Sequence, residues 1–184
     1  MAGVRSGAER AVYMARALLR AKVLNSHVHD VQTDPRFQHQ GVDILWHWPD
    51  GQVVGVEVKG DRQSRHGNYF FELVSNLEKN TPGCFLYSRA DVLLYIFLET
   101  GEFHWLPMSA TREWFIQKAS DYSLRHTHTR VGLSRYTTVG AVVPTRDVQA
   151  AVALASRFTL QEDGTVGNLP ARRPGRTQGK LAEI

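Results

Sequence analysis

The sequence predicts an α/β domain, built on a mixed central sheet flanked by helices, in which an amphipathic helix leads into a β-hairpin. Apolar residues recur at helical spacing over 8–23, two alternating stretches flank a Pro-Asp-Gly turn at 49–51, and short β-like runs continue to residue 106. With 184 residues, 42% of them hydrophobic, the chain can bury one sizeable core and is short for two ordinary domains.

Each element follows from its local pattern. Ala8, Ala11, Val12, Ala15, Leu18 and Leu19 form an apolar helical stripe, and Ser6 with Glu9 three residues on matches a capping box that starts the helix near Ser6. A polar loop is expected over 25–40. Val42, Ile44, Trp46 and Trp48 then alternate with Asp43, Leu45 and His47, and residues 52–59 alternate similarly beyond the turn. Strands are expected over 69–74, 84–87, 92–98 and 102–106, a helix over 111–120, and a short strand over 139–143. A third helix carries Val148, Ala151, Val152 and Ala155, with Thr145 as its N-cap. From Asp163 onward apolar periodicity stops. A flexible basic tail is expected there, with Arg172, Arg173, Arg176 and Lys180 set against Asp163 and Glu183.

Composition narrows the function classes. The net charge of +4 permits a nucleic-acid partner without demanding one. The single cysteine, Cys84, rules out an intrachain disulfide framework and a Cys-rich zinc module. It reads as a small buried filler rather than a nucleophile. No run approaches the ~20 apolar residues of a membrane span, so a cytoplasmic protein without membrane contact is expected.

Chemistry concentrates in the hairpin at 41–60, where Asp43, Glu57 and Lys59 occupy positions that an amphipathic sheet would otherwise fill with apolar residues. Alternation puts Glu57 and Lys59 on one face and Val54, Val56 and Val58 on the other. If Trp48 closes against Gln52, Asp43 lies opposite Glu57. A two-residue Asp50-Gly51 loop would instead slip the register and turn Asp43 away, at the cost of putting Pro49 in the ladder. Opposed residues of an antiparallel pair have Cβ atoms about 5 Å apart, so two like charges there repel unless a cation lies between them. Mg²⁺ suits such a place, because it takes one or two carboxylates, a peptide carbonyl such as that of Val58, water and substrate phosphate. Lys59 would orient or deprotonate a water, or stabilise charge on a phosphoryl group.

Val42-Asp43 followed by Glu57-Val58-Lys59 resembles the acidic and E-x-K elements of the PD-(D/E)xK nuclease superfamily, with Val42 standing where many members carry proline. The upstream helix, the Gly60-Asp61 exit, and the segments 67–72 and 88–91 extend the likeness over residues 6–107. The resemblance implies a restriction-endonuclease-like core, a nuclease-like domain over 1–162 and a tail over 163–184. It implies a metal-dependent deoxyribonuclease that uses Mg²⁺ or Mn²⁺ to hydrolyse phosphodiester bonds in DNA, and many relatives act as homodimers. Asp43 and Glu57 would be metal ligands, Lys59 the catalytic lysine and Glu9 an auxiliary acid. Gln40, Arg62 and Arg65 would contact substrate. A branched-DNA resolvase, of the Holliday junction type, and a noncatalytic nucleic-acid-binding module of the same fold are the alternatives.

Blander readings compete at several positions. Asp43, Glu57 and Lys59 would also suit a salt-bridged solvent face, and the capping box accounts for Glu9 without any metal. The His27/His29/Asp30 and His126/His128 groups invite zinc but lack third and fourth ligands at a recognisable spacing. The aromatic residues, including Phe70, fit core packing better than base stacking.

Overall fold

The computed structural model describes residues 6–62, 67–132 and 134–170. Helix α1 (Gly7–Lys22) starts as predicted: the Ser6 hydroxyl accepts from Glu9 N–H at 3.2 Å, and the Glu9 carboxylate accepts from Ser6 N–H at 2.7 Å. The region predicted as a polar loop contains strand β1 (His27–Asp30) and the one-turn helix α2 (Pro35–Gln38). Four residues with only Val28 buried give no alternation strong enough to read; β1 exists because the edge of β2 (Ile44–His47) recruits it. Strand β3 (Val53–Asp61) completes the hairpin, which closes through Trp48 N–H to the Gln52 carbonyl at 2.8 Å. The Ile44–Val56 pairing follows the expected three-residue loop.

Next come β4 (Asn68–Asn76), the two-residue β5 (Thr81–Pro82) and α3 (Cys84–Tyr87), where the sequence predicts a strand. A four-residue apolar run does not distinguish strand from helix by periodicity. Two tertiary contacts decide it. Gly83 lies so close to β4 that a Cβ on it would meet the Glu72 carbonyl oxygen at 2.2 Å, and Arg112 donates to the carbonyls of Phe85 at 2.7 Å and Ser88 at 2.6 Å. Strands β6 (Val92–Phe97) and β7 (Glu102–Pro107) follow, then α4 (Met108–Lys118), β8 (Leu124–Val131), β9 (Ser134–Pro144) and α5 (Thr145–Ala151). Helix α5 is a turn shorter than its apolar spacing suggests, and Thr145 is its first residue rather than its cap. The described chain ends in β10 (Ser156–Leu160) and β11 (Val166–Leu169), so residues 163–170 are a turn and an edge strand rather than tail; Arg172, Arg173, Arg176 and Lys180 lie outside the described residues.

These strands make two sheets. The larger is mixed and seven-stranded, in the order β1-β2-β3-β6-β7-β10-β11, with β3 and β6 parallel and the other neighbours antiparallel; the smaller is antiparallel, in the order β5-β4-β9-β8. Central strand β6 is buried along its whole length and packs on both faces. Leu94 and Ile96 join Leu18, Leu19, Ile44, Trp46 and Val56 beneath α1. Leu93, Tyr95 and Phe97 join Tyr69, Phe71, Ala141 and Val143 beneath the small sheet. Helices therefore lie on both faces of the large sheet, α1 on one and α3, α4 and α5 on the other, where they share the cover with the second sheet. Gly60 lets α1 approach β3, since a Cβ there would stand 2.7 Å from that of Ala11. Among the described residues no helix is long and apolar enough to cross a membrane.

Candidate active site

The site lies where β3 leaves the hairpin. Val54, Val56 and Val58 pack toward α1, so Glu57 and Lys59 project on the side of the second sheet. The β2–β3 ladder ends at Ile44–Val56, one step short of Asp43 and Glu57, but further bonds carry Asp43 across. Its N–H donates to the Val56 carbonyl at 3.0 Å, and its carboxylate accepts from Val58 N–H at 2.8 Å and from the Gln32 amide at 3.4 Å. Asp43 and Glu57 thus line one cleft of about 460 Å³, together with Gln32, Val58, Lys59, Arg62, Glu72 and Cys84, while Gly7 and Ala8 of α1 close one side.

Electrostatics make this pair unusual. Glu57 is 9% exposed, and burial, reinforced by the neighbouring Asp43 charge, pushes its carboxyl up to about 8 although the Cys84 thiol donates to it. Asp43 is also raised, chiefly by burial, against the pull of its bonds to Val58 and Gln32. Burial alone would lower Lys59, but Glu72, 3.1 Å away, and Glu57 reverse that and keep the ammonium charged. Burial and the Glu57 charge push the Cys84 thiol up to about 12, which makes it a neutral filler and donor, not a nucleophile.

The other predicted residues fall as follows. Glu9 is exposed, and its carboxylate is engaged in the helix cap rather than lining the cleft. Gln40 turns away and donates to the Arg36 carbonyl at 2.8 Å, leaving the polar place beside Asp43 to Gln32. Arg62 is exposed at the cleft rim, and Arg65 lies outside the described residues. Sequence reasoning missed Gln32 and Cys84, which reach the site only through the folding of 25–40 and 84–87, and it read Glu72, a charge in the otherwise apolar strand 69–74, as structural or substrate-adjacent without the pairing to Lys59.

Two carboxylates, the Val58 main chain and an open cleft fit a hard cation that completes its shell with water and phosphate oxygens. Among the described residues no group of three or more His, Cys, Asp or Glu side chains is disposed to hold a metal. Comparison with protein-family models, curated proteins and solved structures finds no match.

Proposed function

We propose that the chain is a Mg²⁺- or Mn²⁺-dependent DNA endonuclease with a restriction-endonuclease-like core and the PD-(D/E)xK arrangement that its hairpin resembles. One observation carries this reading: the Asp43 and Glu57 carboxyls line one cleft, beside Lys59, which Glu72 holds at 3.1 Å. A purely structural pair would be given cationic partners. Here Asp43 is held by Val58 N–H and the Gln32 amide, Glu57 has the Cys84 thiol, the neighbouring Lys59 is paired with Glu72, and a divalent cation is the partner that would let both carboxyls ionise.

A bound cation would polarise the scissile phosphodiester and lower the pKa of an attacking water. Asp43 and Glu57 would hold it, with Val58 N–H and Gln32 fixing the orientation of Asp43. Lys59 lines the same cleft, where it would align the water and stabilise the phosphoryl oxygens. Glu72 positions Lys59, and Arg62 supplies a phosphate contact at the rim. The test is cleavage of labelled four-way junction, flap, duplex and single-stranded DNA in Mg²⁺, Mn²⁺ or EDTA, with Lys59→Ala alongside. Metal-dependent cutting that the variant loses is expected; intact DNA under every condition would overturn the reading.

A further inference from the structure

A second cleft, of about 660 Å³, shares Lys59, Gly60, Arg62 and Glu72 with the first and runs from them over the second sheet. Its walls come from the side of that sheet turned away from the core. Tyr69, Phe71, Ala141 and Val143 point inward, so Phe70 on β4, Tyr136 and Thr138 on β9, and Arg125, Thr127 and Thr129 on β8 share the outer side. The register sets Tyr136 opposite Thr129, Thr138 opposite Thr127 and Gly140 opposite Arg125.

Three features of this surface point to one kind of ligand. Residues 124–144 contain no Asp or Glu, and Arg125 lines the cleft with Arg62 at its near end, whereas Arg130 and Arg135, opposite each other in the ladder, project from the other side of the sheet. Of the two acids at the near end of the cleft, Glu72 is paired with Lys59 and Asp61 accepts from the Tyr95 hydroxyl. The half-buried rings of Phe70 and Tyr136 lie in the cleft, and the Phe70 ring fits only because position 140 is glycine, where a Cβ would come within 2.4 Å of it. Arginines and hydroxyls beside partly exposed rings on a sheet are a chemistry for phosphates and bases together. Base faces are available only in an unpaired strand, and a cleft of this volume admits a short stretch of one strand.

We infer that the outer side of the second sheet is a platform for a single DNA strand, which it feeds past Lys59 to Asp43 and Glu57, so that the preferred substrate carries an unpaired segment. That the strand is DNA rests on the nuclease reading. Arg125, Thr127 and Thr129 hold phosphates, and Phe70 and Tyr136 stack on bases.

The experiment is fluorescence anisotropy of a labelled oligothymidylate in EDTA, where no cutting occurs, with unlabelled duplex as competitor. It compares the wild type with Arg125→Gln, Tyr136→Ala and Tyr136→Phe. The single strand should bind at least about tenfold more tightly than the duplex. Tyr136→Ala should weaken it about tenfold, while Tyr136→Phe, which keeps the ring, should not. Arg125→Gln should weaken it severalfold and reduce the salt dependence by about one phosphate contact. Circular dichroism reports folding, and Arg125→Gln on the exposed edge strand reads the same surface should Tyr136→Ala misfold. The inference is overturned if the wild type ignores the single strand, if duplex competes equally, or if the folded variants bind as the wild type does. Cleavage is scored separately. Metal-dependent cutting without platform binding overturns this inference alone, and platform binding without cutting overturns the nuclease reading while leaving a single-strand-binding surface.

Discussion

Glu57 on β3 and Glu102 on β7 are both shielded glutamates of one sheet, and their surroundings are opposite. Glu102 accepts from Arg157 at 2.6 Å and from the fully buried His104 at 3.2 Å, and these partners draw its carboxyl down to about 2. His104 continues the network through Tyr69 at 2.6 Å and Gln149 at 3.2 Å, and Arg157 ties in the Pro170 carbonyl at 2.8 Å. Glu57 has a thiol for a hydrogen-bond donor and another carboxylate as its near neighbour, and it rises to about 8. One glutamate has its charge satisfied by the fold and fastens β10 to β7. The other has its charge suppressed by the fold, as expected of a group whose partner arrives from outside.

The sharpest way to break this contrast is to neutralise each glutamate in turn. Glu57→Gln should reduce metal-dependent DNA cleavage by about 10³-fold, a loss comparable to removing one charge-stabilising group from an active site, with little loss of thermal stability in EDTA. Glu102→Gln should do the reverse, retaining cleavage below the melting point while costing about 3 kcal/mol in urea unfolding, because Arg157 is left shielded without its counter-charge. A variant pair showing equal stability losses would sink the comparison.

The pH dependence of stability sharpens it further. Glu57 is raised, so the folded state holds a proton that the unfolded chain releases near 4.5. Stability is fully present below that range and is lost as pH rises toward about 8. Asp43, Lys59, Glu72 and Cys84 face the same cleft, so the slope belongs to the group and should flatten in Glu57→Gln and on adding Mg²⁺. Glu102 is depressed, and its contribution is present above about 4.5 and lost as pH falls toward about 2. Melting temperatures across pH 3 to 9 should therefore decline at both ends, with the alkaline limb flatter in Glu57→Gln and the acid limb weaker in Glu102→Gln. The smallest effect concerns a third glutamate, the exposed Glu9. Ser6→Ala, which removes one half of its capping box, should lower stability by about 1 kcal/mol in thermal melts, more than an exposed Ser→Ala outside a cap.

Local pattern carried much of this architecture. Helix α1, the 41–60 hairpin and its register, and strands β4, β6 and β7 follow from periodicity, a capping box and a Pro-Asp-Gly turn, because each is specified by residues within a few positions of one another. That register is also what brings Asp43 toward Glu57, so the two carboxylates of the candidate site were legible. Strands β1, β8, β10 and β11 were not, since short, polar or glycine-containing segments become strands through the edges they pair with.

What the sequence by itself determined, then, is the hairpin with Asp43, Glu57 and Lys59 on one side and the helix that precedes it. Only the tertiary structure decided that Glu72 holds Lys59, that Gln32 rather than Gln40 supports Asp43, that Cys84 opens a helix against Glu57, and that a second sheet extends the cleft. Side-chain alternation along a strand is a local rule, whereas the identity of a partner on another strand depends on how the chain returns, and no spacing in the sequence encodes that return.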